Sequence, residues 1–120
     1  MTGVKFEFYR GDTYSRDFII SGYSSSIDKI FFTVKENASD KKFVLQKILG
    51  DGITLVDEEK DTKTYNLLIN ASDTDNLKPD YNYSFDIEIQ TNSEPVVKRT
   101  IVTGTLRLTT DITRPINEVV

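Results

Sequence analysis

Apolar and polar residues alternate one by one along much of this chain. In YNYSFDIEIQ, Tyr81, Tyr83, Phe85, Ile87 and Ile89 alternate with Asn82, Ser84, Asp86, Glu88 and Gln90. A period of two predicts a β-strand with one buried and one wet face. VKFEF repeats the pattern with Val4, Phe6 and Phe8 inward, and TYNLLI repeats it with Tyr65, Leu67 and Ile69 inward. IDKIFFTVK puts Ile30, Phe32 and Val34 on one face and Phe31, Thr33 and Lys35 on the other, which leaves Phe31 exposed.

Two segments depart from this simple alternation. FVLQKIL is apolar on both parities, so it reads either as a strand buried on both faces or as a pairing whose register the pattern leaves open. VVKRTIVTGTLRLTT reads as one long strand with Val102, Leu106 and Leu108 inward, while Val97 and Ile101 fall on the opposite parity. A parity switch beside a glycine is what a β-bulge or bend produces, which places the break near Gly104. Turn-forming residues separate the runs at GYSSS, ENASDKK, GDG, DEEKDT and TNSEP. No apolar stripe with the period of a helix is long enough to build one. The expected architecture is therefore all-β, an antiparallel sandwich or barrel of about seven or eight strands.

Composition narrows the function. A chain of 120 residues and 13.7 kDa has room for one domain with a single core. We assign that domain to residues 1–113 and a C-terminal tail to 114–120, because Pro115 does not continue a strand. The sequence contains no cysteine, which excludes disulfides, thiolate nucleophiles and cysteine metal sites. It also contains no histidine, the usual general base near neutral pH and the commonest transition-metal ligand. An enzyme is not expected, nor is a cofactor or a bound metal. The net charge of −4 has the wrong sign for a protein that neutralises phosphates, so nucleic acid is not an expected partner. No stretch approaches a membrane span, and the N-terminus lacks the apolar core of a signal peptide. These features predict a soluble protein made in the cytoplasm.

Several motifs have both a functional and a structural reading. Arg10-Gly11-Asp12 spells an adhesion tripeptide, but its flanks FEFY and TYSRDF are strand-like, and a glycine turn accounts for it. The acidic clusters at Asp57, Glu58, Glu59 and Asp61 and at Asp73 and Asp75 lack calcium-loop spacing and read as solvated loops. Three N-x-S triplets begin at Asn37, Asn70 and Asn82, the last inside a predicted strand. Phe31 and Leu68 lie on the faces expected to meet water and are candidate interface residues.

NLKPDYNY places Leu77, Pro79, Tyr81 and Tyr83 at the start of the clearest strand. It resembles the Leu-x-Pro-Gly-x-x-Tyr approach to a fibronectin type III strand and the tyrosine corner of immunoglobulin-like domains, where a tyrosine hydroxyl bonds back to the preceding corner. Tyr83 is the candidate for that role. The order RGDTYSRDFII, IDKIFFTVKEN, LQKILGDGITL, TYNLLINASDTDNLKPDYNYSFDIEI and a strand ending GTLRLTTDITR resembles the N-terminal domain of phage baseplate upper proteins and small prophage proteins akin to it. The resemblance runs from about Phe8 to Thr113. It implies an immunoglobulin-like β-sandwich in a phage virion, in tail, baseplate or head, with no catalysis. Its implied partners are other virion proteins or further copies of the chain.

The baseplate proteins continue into further domains whereas this sequence stops at Val120, so a stand-alone accessory is the expected form. Ile116, Val119 and Val120 of the tail are candidate anchors. The alternative is a bacterial surface or receptor-binding module that recognises carbohydrate through Tyr9, Tyr14 and Tyr23.

Overall fold

The structure, a computed structural model, describes residues 1–22 and 27–110. Its strands are β1 (Val4–Tyr9), β2 (Tyr14–Ser21), β3 (Ile27–Lys35), β4 (Leu45–Leu49), β5 (Gly52–Glu58), β6 (Thr62–Ile69), β7 (Asn82–Thr91) and β8 (Lys98–Thr109). One turn of 3₁₀ helix, Ala71–Thr74, joins β6 to β7. The fold is all-β, as the alternation predicts. No helix among the described residues is long and apolar enough to cross a membrane.

The eight strands hydrogen-bond in the order β1-β8-β7-β3-β4-β5-β6-β2. Most neighbours are antiparallel, but β1 runs parallel to β8 and β4 runs parallel to β5, so the expectation of a purely antiparallel sheet is corrected. The β4–β5 link spans only two residue pairs, Ile48 with Gly52 and Leu49 with Ile53. It joins two larger sheets, β1-β8-β7-β3-β4 and β5-β6-β2. The whole curls toward a barrel until its two outer strands lie near one another. Strands β1 and β2 are not hydrogen-bonded to each other. Their seam is filled by Tyr14, whose ring stacks on Phe8 at 4.3 Å and tilts against Phe6 at 5.6 Å.

The inward residues meet in one core. Phe6, Phe32 and Phe85 form its aromatic centre, with ring centroids 4.5–6.0 Å apart. Ile30, Val34, Ile53, Leu67, Ile69, Ile87, Ile89, Leu106 and Leu108 close around them. Removing a side chain of this size from water contributes about 1.5–3 kcal/mol each, the main term holding a small β-domain together. Tyr65, Tyr83, Leu67 and Ile69 are buried on the parity that the sequence assigns, and Tyr81, Val4 and Phe8 are half-buried on the same side.

Gly104 has a different role from the expected one. The pairing of β7 with β8 slips between Ile87 and Glu88, whose partners are Val102 and Thr100, so the extra residue of the bulge is Ile101. Gly104 sits in regular register on the inward face, level with Val4 of β1 and Phe85 of β7. A Cβ there would collide with the Val4 carbonyl and lie 2.9 Å from the Phe85 ring. The missing side chain lets β1 approach β8 and leaves room for the Phe6–Phe85 stack.

One open reading is decided and one expectation is corrected. FVLQKIL is not buried on both faces: Phe43, Val44 and Ile48 are exposed, and the inward positions of β4 are Leu45, Lys47 and the half-buried Leu49. Phe31 is half-buried rather than exposed, because Ile48 lies directly across the strand pair. The tail candidates Ile116, Val119 and Val120, together with Tyr23, lie outside the described residues.

Candidate interaction surface

The corner between β6 and β7 is built around Tyr83. Its ring is buried at 2% exposure, and its hydroxyl accepts the Lys78 backbone N–H at 2.7 Å. Leu77 is buried in the core, Pro79 is half-buried, and Asp80 turns the chain in the left-handed region at φ 58°. Asp80 donates its backbone N–H to the Leu108 carbonyl at 2.7 Å, which ties the corner to β8. Tyr81 sets its ring edge-on to Tyr83 and donates its hydroxyl to the Glu36 carbonyl at 3.2 Å. The Lys78 ammonium pairs with the Glu36 carboxylate at 2.9 Å and lies over the Tyr81 ring. Its pKa is raised, first by the hydrogen bond to Glu36 and then by the carboxylate's charge. All of these contacts hold backbone in place, and none creates a reactive group.

A buried lysine forms an ion pair with a partly exposed carboxylate at the same end of the molecule. Lys47 points inward from β4 at 8% exposure, and its ammonium meets the Asp73 carboxylate at 2.7 Å. Gly52 lies flat against the lysine stem, where an added Cβ would stand 2.5 Å from the Lys47 Cδ. Asp73 also accepts the Asn70 backbone N–H at 2.7 Å, so the 3₁₀ turn and β4 share one anchor. Asp73 is therefore a structural partner rather than part of a solvated loop, which corrects the reading of the second acidic cluster. Sequence reasoning missed the pair because a lysine in an apolar run offers no sign of its inward direction.

The Arg10-Gly11-Asp12 segment is a turn. Gly11 adopts φ 84° and donates its N–H to Thr74 Oγ1 at 2.8 Å, and Asp12 N–H bonds back to the Tyr9 carbonyl at 3.1 Å. Because Thr74 is fully buried, the turn is tied to the core rather than offered as a free loop tip. Asp57, Glu58, Glu59 and Asp61 are exposed around the β5–β6 hairpin. Among the described residues, no group of three or more acidic side chains is placed to hold a metal ion.

The most extensive candidate site is the outer face of β4, β3, β7 and β8. Strand register places Ile48, Phe31 and Glu88 in one row across it, and Gln46, Thr33, Asp86 and Thr103 in the next. The 36–44 loop borders this face, with Phe43 at 52% exposure and Lys41 beside it. Shallow grooves run between these residues from Gly3 and Gly104 on one side to Ile48 and Leu49 on the other. Asp86 is half-buried, and its carboxyl pKa is pushed up, first by burial and then by Glu88, with Lys35 opposing. Lys35 gives its ammonium to the Asp40 carbonyl at 2.7 Å, which leaves the two carboxylates without an ion-pair partner among the described residues. The surface combines exposed apolar area with carboxylates and lysines on hydrogen-bonded strands.

The predicted interface residues do not gather. Phe31 belongs to this face, whereas Leu68 is half-buried on the outer side of β6, paired across from Ser15 in the other sheet. Tyr9 is half-exposed, but Tyr14 has its ring face taken by Phe8, so the two do not form an open aromatic platform for a sugar. A scan against protein-family models and a search of curated proteins both returned no match.

Proposed function

We propose that this chain is a non-catalytic assembly module with an immunoglobulin-like fold, working in a phage or prophage virion through protein–protein contact. The observation that carries the assembly reading is the outer face of β4-β3-β7-β8. There Ile48 of β4 and Phe43 and Val44 of the preceding loop are exposed near the half-covered Phe31. Solvent-facing apolar groups beside a stiff sheet suit a partner surface, since little ordering entropy is lost on contact.

Strand pairing supports the immunoglobulin-like part. One sheet places β8, β7 and β3 side by side with β4 beyond, the other places β2, β6 and β5 side by side, and Tyr83 at the start of β7 bonds back to the corner at Lys78. This matches the GFC and BED groupings of that architecture, with β4 in the position of an added C′ strand. The virion part rests on the resemblance of the strand-and-turn order to baseplate upper proteins.

Mass spectrometry of particles purified from an induced lysogen carrying the gene tests it. The chain should be present in the particles at a fixed ratio to the major structural proteins. Its absence from the particles would refute the virion role.

A further inference from the structure

Strand β2 has one bonded edge and one open edge. It pairs with β6 from Tyr14 to Ser21 in unbroken register, and among the described residues no strand bonds to its other side. Two hydrogen bonds fix the direction of its backbone groups. Thr62, opposite Ser21, gives its carbonyl to Glu59 across the hairpin to β5, and the Gly22 N–H reaches the Asp61 carbonyl at 3.4 Å. The even-numbered residues of β2 therefore bond to β6, while Ser15, Asp17, Ile19 and Ser21 turn their N–H and C=O groups to the open side. Water reaches this strand: Ser15, Arg16, Asp17 and Ser21 are exposed, and Ile19 is 67% exposed.

Soluble proteins blunt such an edge with lysine, proline, a bulge, an inward charge or a covering segment. Tyr14–Ser21 contains neither lysine nor proline and has no bulge. The charge on its inner row, Arg16, is drawn off over the Phe6 ring at 5.1 Å. The strand also matches itself when turned end for end about Ile19. In that antiparallel register Ile19 faces Ile19 of the second copy, Phe18 faces Ile20, Asp17 faces Ser21 and Arg16 faces Gly22, the last three pairs occurring twice. Apolar meets apolar on both faces of the sheet, and Arg16 comes opposite a glycine with open space around it. The two Asp17 carboxylates are offset along the strands rather than opposed.

We propose that β2 binds β2 of a second copy of this chain, antiparallel and centred on Ile19, joining the two β5-β6-β2 sheets into one. The contact is separate from the β4-β3-β7-β8 face and goes beyond the assembly reading, because it needs no other virion protein. A single strand pair covers less than the roughly 800 Å² per partner of a standard interface, so the dimer is a weak one.

The sequence has no cysteine, so one introduced thiol reports the register. Ile19→Cys sets the thiol opposite its own copy, at the Cα separation of about 5.5 Å that a disulfide accepts. Ser15→Cys, also at an exposed position, puts the two thiols roughly 26 Å apart. Circular dichroism checks that each variant folds. After mild oxidation at about 100 μM, Ile19→Cys should run as a dimer on a non-reducing gel and Ser15→Cys as a monomer. Sedimentation equilibrium supplies a second measurement. The unaltered chain should dimerise at about 100 μM, and Ile19→Lys, which sets two ammonium groups face to face, should do so at least about 10-fold more weakly.

Equal cross-linking at both positions, cross-linking at Ser15→Cys alone or none at Ile19→Cys overturns the proposal. An unaltered chain that stays monomeric, or a dimer indifferent to Ile19→Lys, overturns it equally. Presence of the chain in purified particles is read separately, so the failure of either reading is distinguishable from failure of the other.

Discussion

The Tyr83 hydroxyl accepts the Lys78 backbone N–H at 2.7 Å and thereby closes the turn that carries the chain from β6 across to β7. The ring above it is in the core and the amide is part-buried, so the bond cannot be exchanged freely for water. Tyr83→Phe keeps the ring and deletes only the acceptor. We expect a loss of about 1–2 kcal/mol, the cost of leaving a part-buried donor unpaired. Urea denaturation should show a lower midpoint at unchanged slope. An unaltered midpoint would mean that the amide finds another partner.

Lys47 and Asp73 should be asymmetric in their response to substitution. Asp73→Ala leaves an ammonium on the inward face of β4 without its carboxylate and also removes the acceptor for Asn70 N–H. A loss of about 3 kcal/mol is expected. Lys47→Met/Asp73→Asn leaves no buried charge and keeps most of the volume, so it should be closer to the unaltered protein than Asp73→Ala is. Thermal melts of the variants decide the order, and the reverse ranking would count against the pair as the anchor of the 3₁₀ turn.

Gly104→Ala should loosen β1 selectively. The added methyl group meets the Val4 carbonyl and the Phe85 ring, so β1 must move away from β8 or the Phe6–Phe85 stack must open. A cost of about 2–4 kcal/mol is expected from overpacking and broken pairing together. Amide hydrogen exchange should rise in residues 4–9 more than in β3 or β7, and uniform loosening would refute this account.

Asp86 makes stability fall as pH rises through its titration. Its folded-state pKa is raised above the ordinary 3.8 by burial and by Glu88. Between those two values the folded chain holds a proton that the unfolded chain has released, so the slope of stability against pH is negative there. Asp86→Asn removes this contribution. The variant should be more stable at pH 7 by about 0.5 kcal/mol, a scale set by the partial exposure of the site. Its advantage should shrink on acidification toward the ordinary carboxylate range. Denaturation curves from pH 4 to 7 provide the check, and an advantage that grows on acidification would contradict the sign.

Much of the fold is legible in the chain because alternation is local. Each of Tyr83, Phe85, Ile87 and Ile89 needs only its neighbours two positions away to reveal its face, and the same holds for Phe6, Phe32, Leu67 and Leu106. The turn at Gly11 and the corner at Tyr83 are likewise short-range patterns, a glycine that tolerates φ 84° and a tyrosine five positions from the amide that it receives. Where the pattern is mixed, it misleads. Phe43, Val44 and Ile48 look buried because they are apolar, yet they face water, and Lys47 looks exposed because it is charged, yet Asp73 neutralises it inside.

Sequence by itself determined that this protein is all-β, which face of most strands is buried, and that histidine and cysteine chemistry are excluded. Only the tertiary structure decided which strands are neighbours, that β1 joins β8 in parallel, that the bulge falls at Ile101, and that Phe31, Ile48, Asp86 and Glu88 share one surface. The physical reason is that side-chain alternation is set by backbone geometry within a few residues. Strand pairing and surface composition depend on hydrogen bonds and packing between segments far apart in the chain, where alternation says nothing about the partner.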